Sequence, residues 1–294
     1  MGEQRVLRLR PGTEVKVEGY GFFCAPRLGL GESVLTLRPT DDPLDLGWYF
    51  ETTQGMLIPI TVDNIWPGKR DLFLADPNTR EVLLREIEHL IFLMGLGLRG
   101  VVVTCTNTRM PYMATEELLE KCMGQWETTD TVLYPPPCFG FIMHYPDDAL
   151  ARRFAEYRYG ETGKPGVLEI HIQYPRDDLR TYTFPCTSEG VRDMTQGRPL
   201  GRPTIMQMVA RLTTAVLRWP HANKVVWHGD SGWELQVARH KALDALGILS
   251  LAIGLEHSLG GVVYRSHKAS HRLDFGLAQM LTRCLKRVSG WSAI

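Results

Sequence analysis

Three consecutive prolines, Pro135 to Pro137, follow Tyr134 near the middle of the chain. Consecutive prolines have no amide hydrogens to donate and hold the backbone extended, so neither a helix nor an interior strand can run through them. The natural division therefore falls there, giving an N-terminal domain of residues 1–133 and a C-terminal domain of residues 134–294. The chain length of 294 residues agrees with this, because single cores rarely grow far beyond roughly 150 to 250 residues.

Each half begins with strands and passes to helices. In the first, Arg5-Val6-Leu7-Arg8-Leu9-Arg10 alternates charge and apolar side chains, which reads as a strand and lacks the continuous apolar run of a secretory leader. Val15 to Val17, Ser33 to Leu37 and Trp48 to Phe50 are further short runs bounded by Gly, Pro and Asp. From Asn78 the period changes. Asn78 as N-cap, Glu81 three residues on, and Leu83, Leu84, Ile87, Leu90, Ile91 and Met94 up to Gly95 predict one helix that contains Glu88 and His89. Val101 to Val103 predicts a strand and Thr115 to Cys122 a short helix.

In the second half, Val167 to Ile172 and Arg180 to Phe184 read as strands, and residues from about Pro203 to Leu217 as a helix. Ser231 with Glu234 forms a capping box opening a long helix, apolar at Leu235, Val237, Leu243, Leu246, Leu249 and Leu251. Val262 to Tyr264 predicts a strand, and a last helix begins near Ser270 or His271 and runs to about Arg287. No exact sequence repeat relates the halves.

Lysine plus arginine equals aspartate plus glutamate at 33 each, so no global field draws the chain to nucleic acid or to an anionic membrane. The six cysteines are dispersed without a C-x-x-C pair, which argues against a disulfide framework or a thiolate zinc knuckle and for reduced thiols in the cytoplasm. The most apolar run, Leu90 to Val103, is broken by glycines and Arg99 and is too short and interrupted to span a bilayer. There is neither a glycine-rich dinucleotide or ATP loop nor a Gly-x-Ser-x-Gly nucleophile elbow.

His240 and Asp244 stand at i and i+4 of the long helix and so point the same way. Together they can offer a neutral imidazole and a carboxylate to one cation, as tetrahedral zinc requires. A catalytic zinc site needs one more protein ligand and keeps its fourth position for water, whose pKa falls to about 7 there. His89 on the other helix is the candidate, with Glu88 beside it as a natural general base. Each piece alone is commonplace: a Glu-His dipeptide or a His-x-x-x-Asp pair is more often surface decoration, and His271 alone reads as a capping residue.

The combination is more specific. Glu88-His89-Leu90 in a helix rich in leucine and glycine, then His240-Lys241-Ala242-Leu243-Asp244-Ala245-Leu246-Gly247, then Ser270-His271 before a final helix, resembles the UDP-3-O-acyl-N-acetylglucosamine deacetylases of lipid A synthesis. Gly19-Tyr20-Gly21 and Val34-Leu35-Thr36-Leu37-Arg38-Pro39 are similar to that family's first strand pair. The resemblance implies an α+β fold of two similar domains, each a β-sheet layered against two helices, with the active site at their interface. It implies His89, His240 and Asp244 as zinc ligands, Glu88 as the base toward the metal's water, His271 as general acid and Lys241 as a cation facing the developing oxyanion. The same ligand set accepts iron or cobalt. The implied activity is zinc-dependent hydrolysis of an amide in a small-molecule N-acyl compound, such as an N-acyl sugar.

Several positions depart from the family. The aspartate four residues after the zinc aspartate, which supports the general-acid histidine, is Ile248 here; Asp274 is a possible replacement, unless Glu88 performs both proton transfers. The Arg-Thr-Phe-Gly segment is matched at best by Arg198-Pro199-Leu200-Gly201, Ala114 replaces an aspartate, and Asp71 to Thr79 replaces a threonine-rich loop. Metal and base residues survive while substrate-contacting ones change, which points to conserved chemistry on a different N-acyl substrate. Ile205, Met206, Met208, Val209 and Leu212 lie where the family builds its acyl-chain passage, although their helical spacing also suits plain core. Trp227 to Ser231 reads as a turn into the Ser231 cap, and His267 competes with His271 for the acid role. The alternative is a catalytically degenerate relative serving as a ligand-binding or interaction protein. Ile248, Pro199 and Ala114 favour it, and the retained Glu88 speaks against it.

Overall fold

A computed structural model describes residues 4–20, 32–68, 71–111, 114–136, 140–144, 153–161, 163–173, 178–201, 226–268 and 270–291. The first half holds β1 (Arg5–Leu9), β2 (Val15–Tyr20), β3 (Glu32–Pro39), β4 (Trp48–Glu51), β5 (Leu57–Pro59), β6 (Ile65–Pro67), β7 (Leu72–Ala75), β8 (Val82–Arg85), α1 (Glu88–Gly95), β9 (Val101–Cys105), α2 (Thr115–Met123) and β10 (Trp126–Val132). The second holds β11 (Gly140–His144), β12 (Phe154–Tyr159), β13 (Val167–Ile172), β14 (Arg180–Pro185), α3 (Ser188–Thr195), β15 (Leu200–Gly201), β16 (Val226–Trp227), α4 (Trp233–Ile253), β17 (Val262–His267) and α5 (His271–Trp291). The fold is α+β, as expected.

Period-2 alternation explains the sheets. Along β3, Ser33, Leu35 and Leu37 are buried while Val34, Thr36 and Arg38 are half-exposed, so one face meets the core and the other meets water. Two five-stranded sheets result, ordered β2-β3-β9-β4-β5 and β11-β12-β17-β13-β14. In each, a hairpin pairs antiparallel to a central strand, and a second hairpin pairs parallel to that strand's other side. Both central strands, β9 and β17, come last in their sheet and follow a helix, α1 or α4. The same order and directions thus recur without a readable sequence repeat.

Three sequence expectations require correction or fall outside the described residues. Asn78 caps no helix. Asp76 Oδ1 accepts the amides of Asn78 and Thr79 at 2.8 Å each, Arg80 takes φ 64°, and the turn closes β7 and β8 into a hairpin. Leu83 and Leu84 therefore belong to a strand, and α1 starts only at Glu88. Ser231 caps nothing either. Gly232, at φ 69°, occupies the cap position of α4 without a side-chain bond, and Glu234 pairs with Arg180 instead. The helix expected at 203–217, with its apolar residues, lies outside the described residues.

Helices α1 and α4 pack directly on each other, and glycine lets them approach. A Cβ on Gly247 would stand 2.9 Å from the Glu88 carbonyl oxygen, and one on Gly95 would stand 2.7 Å from Ser250 Oγ. Arg99 clamps the far end. It is 1% exposed and donates to the carbonyls of Met94, Leu98, Leu255 and His257 at 2.6 to 3.1 Å. Its charge thus meets the negative end of α1 and the segment after α4; burial lowers its pKa to about 10. Among the described residues no helix is long and apolar enough to cross a membrane.

Candidate metal centre

The crossing of α1 and α4 brings together side chains about 150 residues apart in sequence. His89 lies in the first turn of α1, and His240 and Asp244 lie one turn apart on α4; His89 and Asp244 are buried and His240 half-buried. His89 Nε2 stands 3.3 Å from Asp244 Oδ1, and His240 Nε2 3.8 Å from Asp244 Oδ2. The two imidazole rings are 5.0 Å apart. One ligand atom from each residue falls within 4.8 Å of the others.

These residues could hold a metal ion. His89 Nε2 and Asp244 Oδ1 are both buried, and despite their proximity neither makes a well-directed hydrogen bond. Two buried polar atoms that face each other without bonding are costly unless something lies between them. Ligand atoms about 2.0–2.1 Å from a tetrahedral ion stand about 3.3–3.4 Å apart, which the His89–Asp244 pair matches.

The charges at the crossing act strongly on one another. Burial opposes charge on the His89 ring, but Asp244 first and then Glu88 and Glu86 outweigh it and raise its pKa to about 9. His240 is pushed down to about 4, chiefly by burial, with His89, His271 and Lys241 adding repulsion. Burial also opposes charge on Asp244, yet the surrounding histidines hold it well below the usual carboxylate range.

Glu88 is 1% exposed and accepts the Leu72 amide on Oε2 at 3.0 Å, so strand β7 orients it. Burial raises its pKa above the usual carboxylate range, with His89 opposing and Asp244 reinforcing the rise. His271, at the start of α5, has Nε2 3.9 Å from Asp244 Oδ2. Its pKa is lowered, mainly by burial. Lys241 adds a cation near both His240 and His271. All six sequence-derived site residues thus gather around one crossing.

The replacement partner for His271 does not materialise. Asp274 accepts the Tyr264 hydroxyl, while His271 Nδ1 is buried without a hydrogen bond and Ile248 is buried among apolar neighbours. Burial raises Asp274 to about 6, against the pull of Tyr264 and Lys241. His267 is not a rival acid: alternation along β17 puts Ser266 on the buried side and His267 on the other. Trp227 to Asp230 is a turn, with Asp230 Oδ2 accepting the Trp227 amide at 2.9 Å.

Sequence reasoning missed the polar wall beside α1. Glu86 holds φ 62°, is buried, and pairs with Arg109 at 3.3 Å; Arg85 pairs with Asp71 at 3.0 Å. Glu86 acts electrostatically on His89, and Asp71 on His271. These partners are 14 and 23 residues apart, beyond any local motif. Gly197, also missed, presses on the His240 backbone, where a Cβ would come within 2.2 Å of its nitrogen.

The chain matches no protein-family model and no characterised protein.

Proposed function

We propose that the chain is a cytosolic zinc-dependent amide hydrolase related to the UDP-3-O-acyl-N-acetylglucosamine deacetylases. In this reading residues 1–133 and 134–294 are two similar domains, and α1 and α4 form the seam that holds the site. The observation that carries it is the His89–Asp244 juxtaposition: two buried, unbonded ligand atoms at a zinc-like separation, with His240 beside them and an oriented carboxylate next in the chain. The recurring strand order of the two sheets supports the two-domain part.

His89, His240 and Asp244 would hold the ion. When bound, zinc supplies a water of lowered pKa and a Lewis acid for a carbonyl oxygen. The chain's own residues supply the rest. Glu88, fixed by the Leu72 amide and raised toward neutrality by burial, is suited to exchange protons. His271 faces Asp244 Oδ2 at 3.9 Å and, with its pKa lowered, is a competent proton donor only while something else stabilises its charged form. Lys241 contributes positive potential where an amide oxygen gains charge. The substrate class is a small N-acyl compound, an N-acyl sugar first among those to test.

A second reading draws on His271, whose Nδ1 has no partner: a member that binds ligand but no longer turns it over. Elemental analysis separates the readings when joined to activity. About one zinc per chain, lost in His89→Ala and His240→Ala, with N-acyl sugar hydrolysis lost in Glu88→Gln while zinc is retained, supports the hydrolase. Zinc retention with no hydrolysis across N-acetyl and longer N-acyl substrates supports the binding protein. A chain that takes up no zinc refutes both metal assignments.

A further inference from the structure

A second pair of histidines lies outside this crossing. His171 and His267 occupy register-paired positions on the parallel strands β13 and β17. Both fall on the half-exposed side, with Ile170, Ile172 and Ser266 on the buried side. Their Nδ1 atoms are 3.2 Å apart. The rings meet edge to face at 5.4 Å and 85°, and Phe154, paired with His267 from β12, stacks on it at 5.3 Å and 7°. Both rings are thus oriented before any ligand arrives.

We propose that His171 and His267 form a second metal site, a two-imidazole clamp for a divalent transition ion such as zinc or nickel. An ion about 2.0–2.1 Å from both Nδ1 atoms would see them at an angle of about 100–105° across the observed gap, close to tetrahedral. Imidazole pairs suit zinc and nickel on ligand type. The present contact joins an N–H donor to a lone pair. Binding an ion needs both lone pairs, so the donor ring's proton moves to its Nε2 and none is released.

The nearest cation on the same strand is paired: Arg265 is engaged by Glu169 at 2.7 Å and Glu156 at 3.0 Å, and Glu169 favours positive charge at His171, while Lys268 opposes it at His267. Burial is the largest influence on both imidazoles and lowers their pKa, which keeps them neutral and ligating at neutral pH. Two protein ligands leave the remaining positions to water, so this site binds more weakly than a three-ligand one.

The test is zinc titration of the full chain carrying His240→Ala, which disables the crossing site. We expect one weaker zinc equivalent at neutral pH, lost when His267→Gln or His171→Gln is added. No uptake in His240→Ala, or uptake that survives both glutamine substitutions, overturns the proposal. Should a glutamine variant fail to fold, nickel added to the wild-type chain decides: paramagnetic broadening of the His171 and His267 ring protons supports the clamp, and unaffected resonances refute it. A negative result here leaves the hydrolase reading intact, because that reading depends on the zinc lost with His89 and His240.

Discussion

Replacing Gly247 by alanine tests whether the site depends on how closely α1 and α4 approach. The added Cβ would lie 2.9 Å from the Glu88 carbonyl oxygen, 2.9 Å from Ile91 Cγ1 and 3.2 Å from the Phe92 nitrogen. Ile91 can adjust, but the other two are backbone atoms of α1. Restoring ordinary contact at 3.4 Å therefore needs about 0.5 Å of separation between the helices. Inserting a methyl into a packed interior costs about 1–3 kcal/mol, and the better helix propensity of alanine returns about 1 kcal/mol. The net loss is about 1 kcal/mol, or a fall in Tm of roughly 2–4 °C. The effect on metal is larger. A 0.5 Å shift of His89 relative to Asp244 exceeds the tolerance of about 0.2 Å for ligand distances, so zinc Kd should rise about ten- to a hundredfold, as for other changes behind a ligand. Chelator competition and thermal melts with and without zinc measure both. Gly124→Ala, whose Cβ meets only ordinary contacts at 3.6 Å, is the control. A Gly247→Ala protein with unchanged Tm and zinc Kd would refute the account of the crossing.

Asp244→Ala should remove stoichiometric zinc, since it takes away the residue that faces both histidines; normal zinc content in the purified variant would exclude Asp244 as a ligand. Arg99→Met should destabilise the chain by about 1–3 kcal/mol, because the half-buried carbonyls of Leu255 and His257 lose their side-chain donor while those of Met94 and Leu98 keep Gly97 and Trp48; a denaturant midpoint near wild type would contradict the clamp. Zinc affinity should rise with pH. His89 has its pKa raised to about 9 and His240 lowered to about 4, so between those values one proton competes with the ion, and Kd should fall about tenfold per pH unit. The sign for the metal-free fold is opposite: a raised histidine pKa contributes stability below the unfolded value of 6.5, lost as pH rises toward 9. A pH-independent Kd across this window would mean that the His89–Asp244 pair carries no proton.

What the sequence revealed follows from the range of the interactions. Strands such as Val167–Ile172 and Val101–Cys105 were legible because alternation or β-branching is local. The i, i+4 relation of His240 and Asp244 is equally local, and only resemblance joined His89 to it. The Asn78 cap failed because Asp76 captures the amides first and builds a hairpin, so leucines at helical spacing served a strand. The Ser231 cap failed because the backbone turns at Gly232 before the helix begins. Strand β10, rich in threonine and mostly exposed, lacked the apolar alternation that marks a half-buried strand. The Glu86–Arg109 and Asp71–Arg85 pairs were invisible because their partners meet only after β7, β8 and α1 are in place.

The recurring sheet order explains why the donors meet where they do. In each half the central strand arrives last, after a helix. Those two helices, α1 and α4, each precede the central strand of a sheet, and they pack directly on each other. The contact is reciprocal in kind: Gly95 of α1 admits Leu246 and Ser250 of α4, and Gly247 of α4 admits the Glu88 backbone and Ile91 of α1. Small residues at the crossing bring the backbones close enough for short side chains to meet. A single aspartate on one helix can then face a histidine on each, at 3.3 and 3.8 Å. Longer side chains at either glycine would force the helices apart and leave the same three residues unable to converge. The glycines are thus as much a condition of the proposed metal centre as the histidines, and a search for such sites by ligand pattern alone would miss half of what builds them.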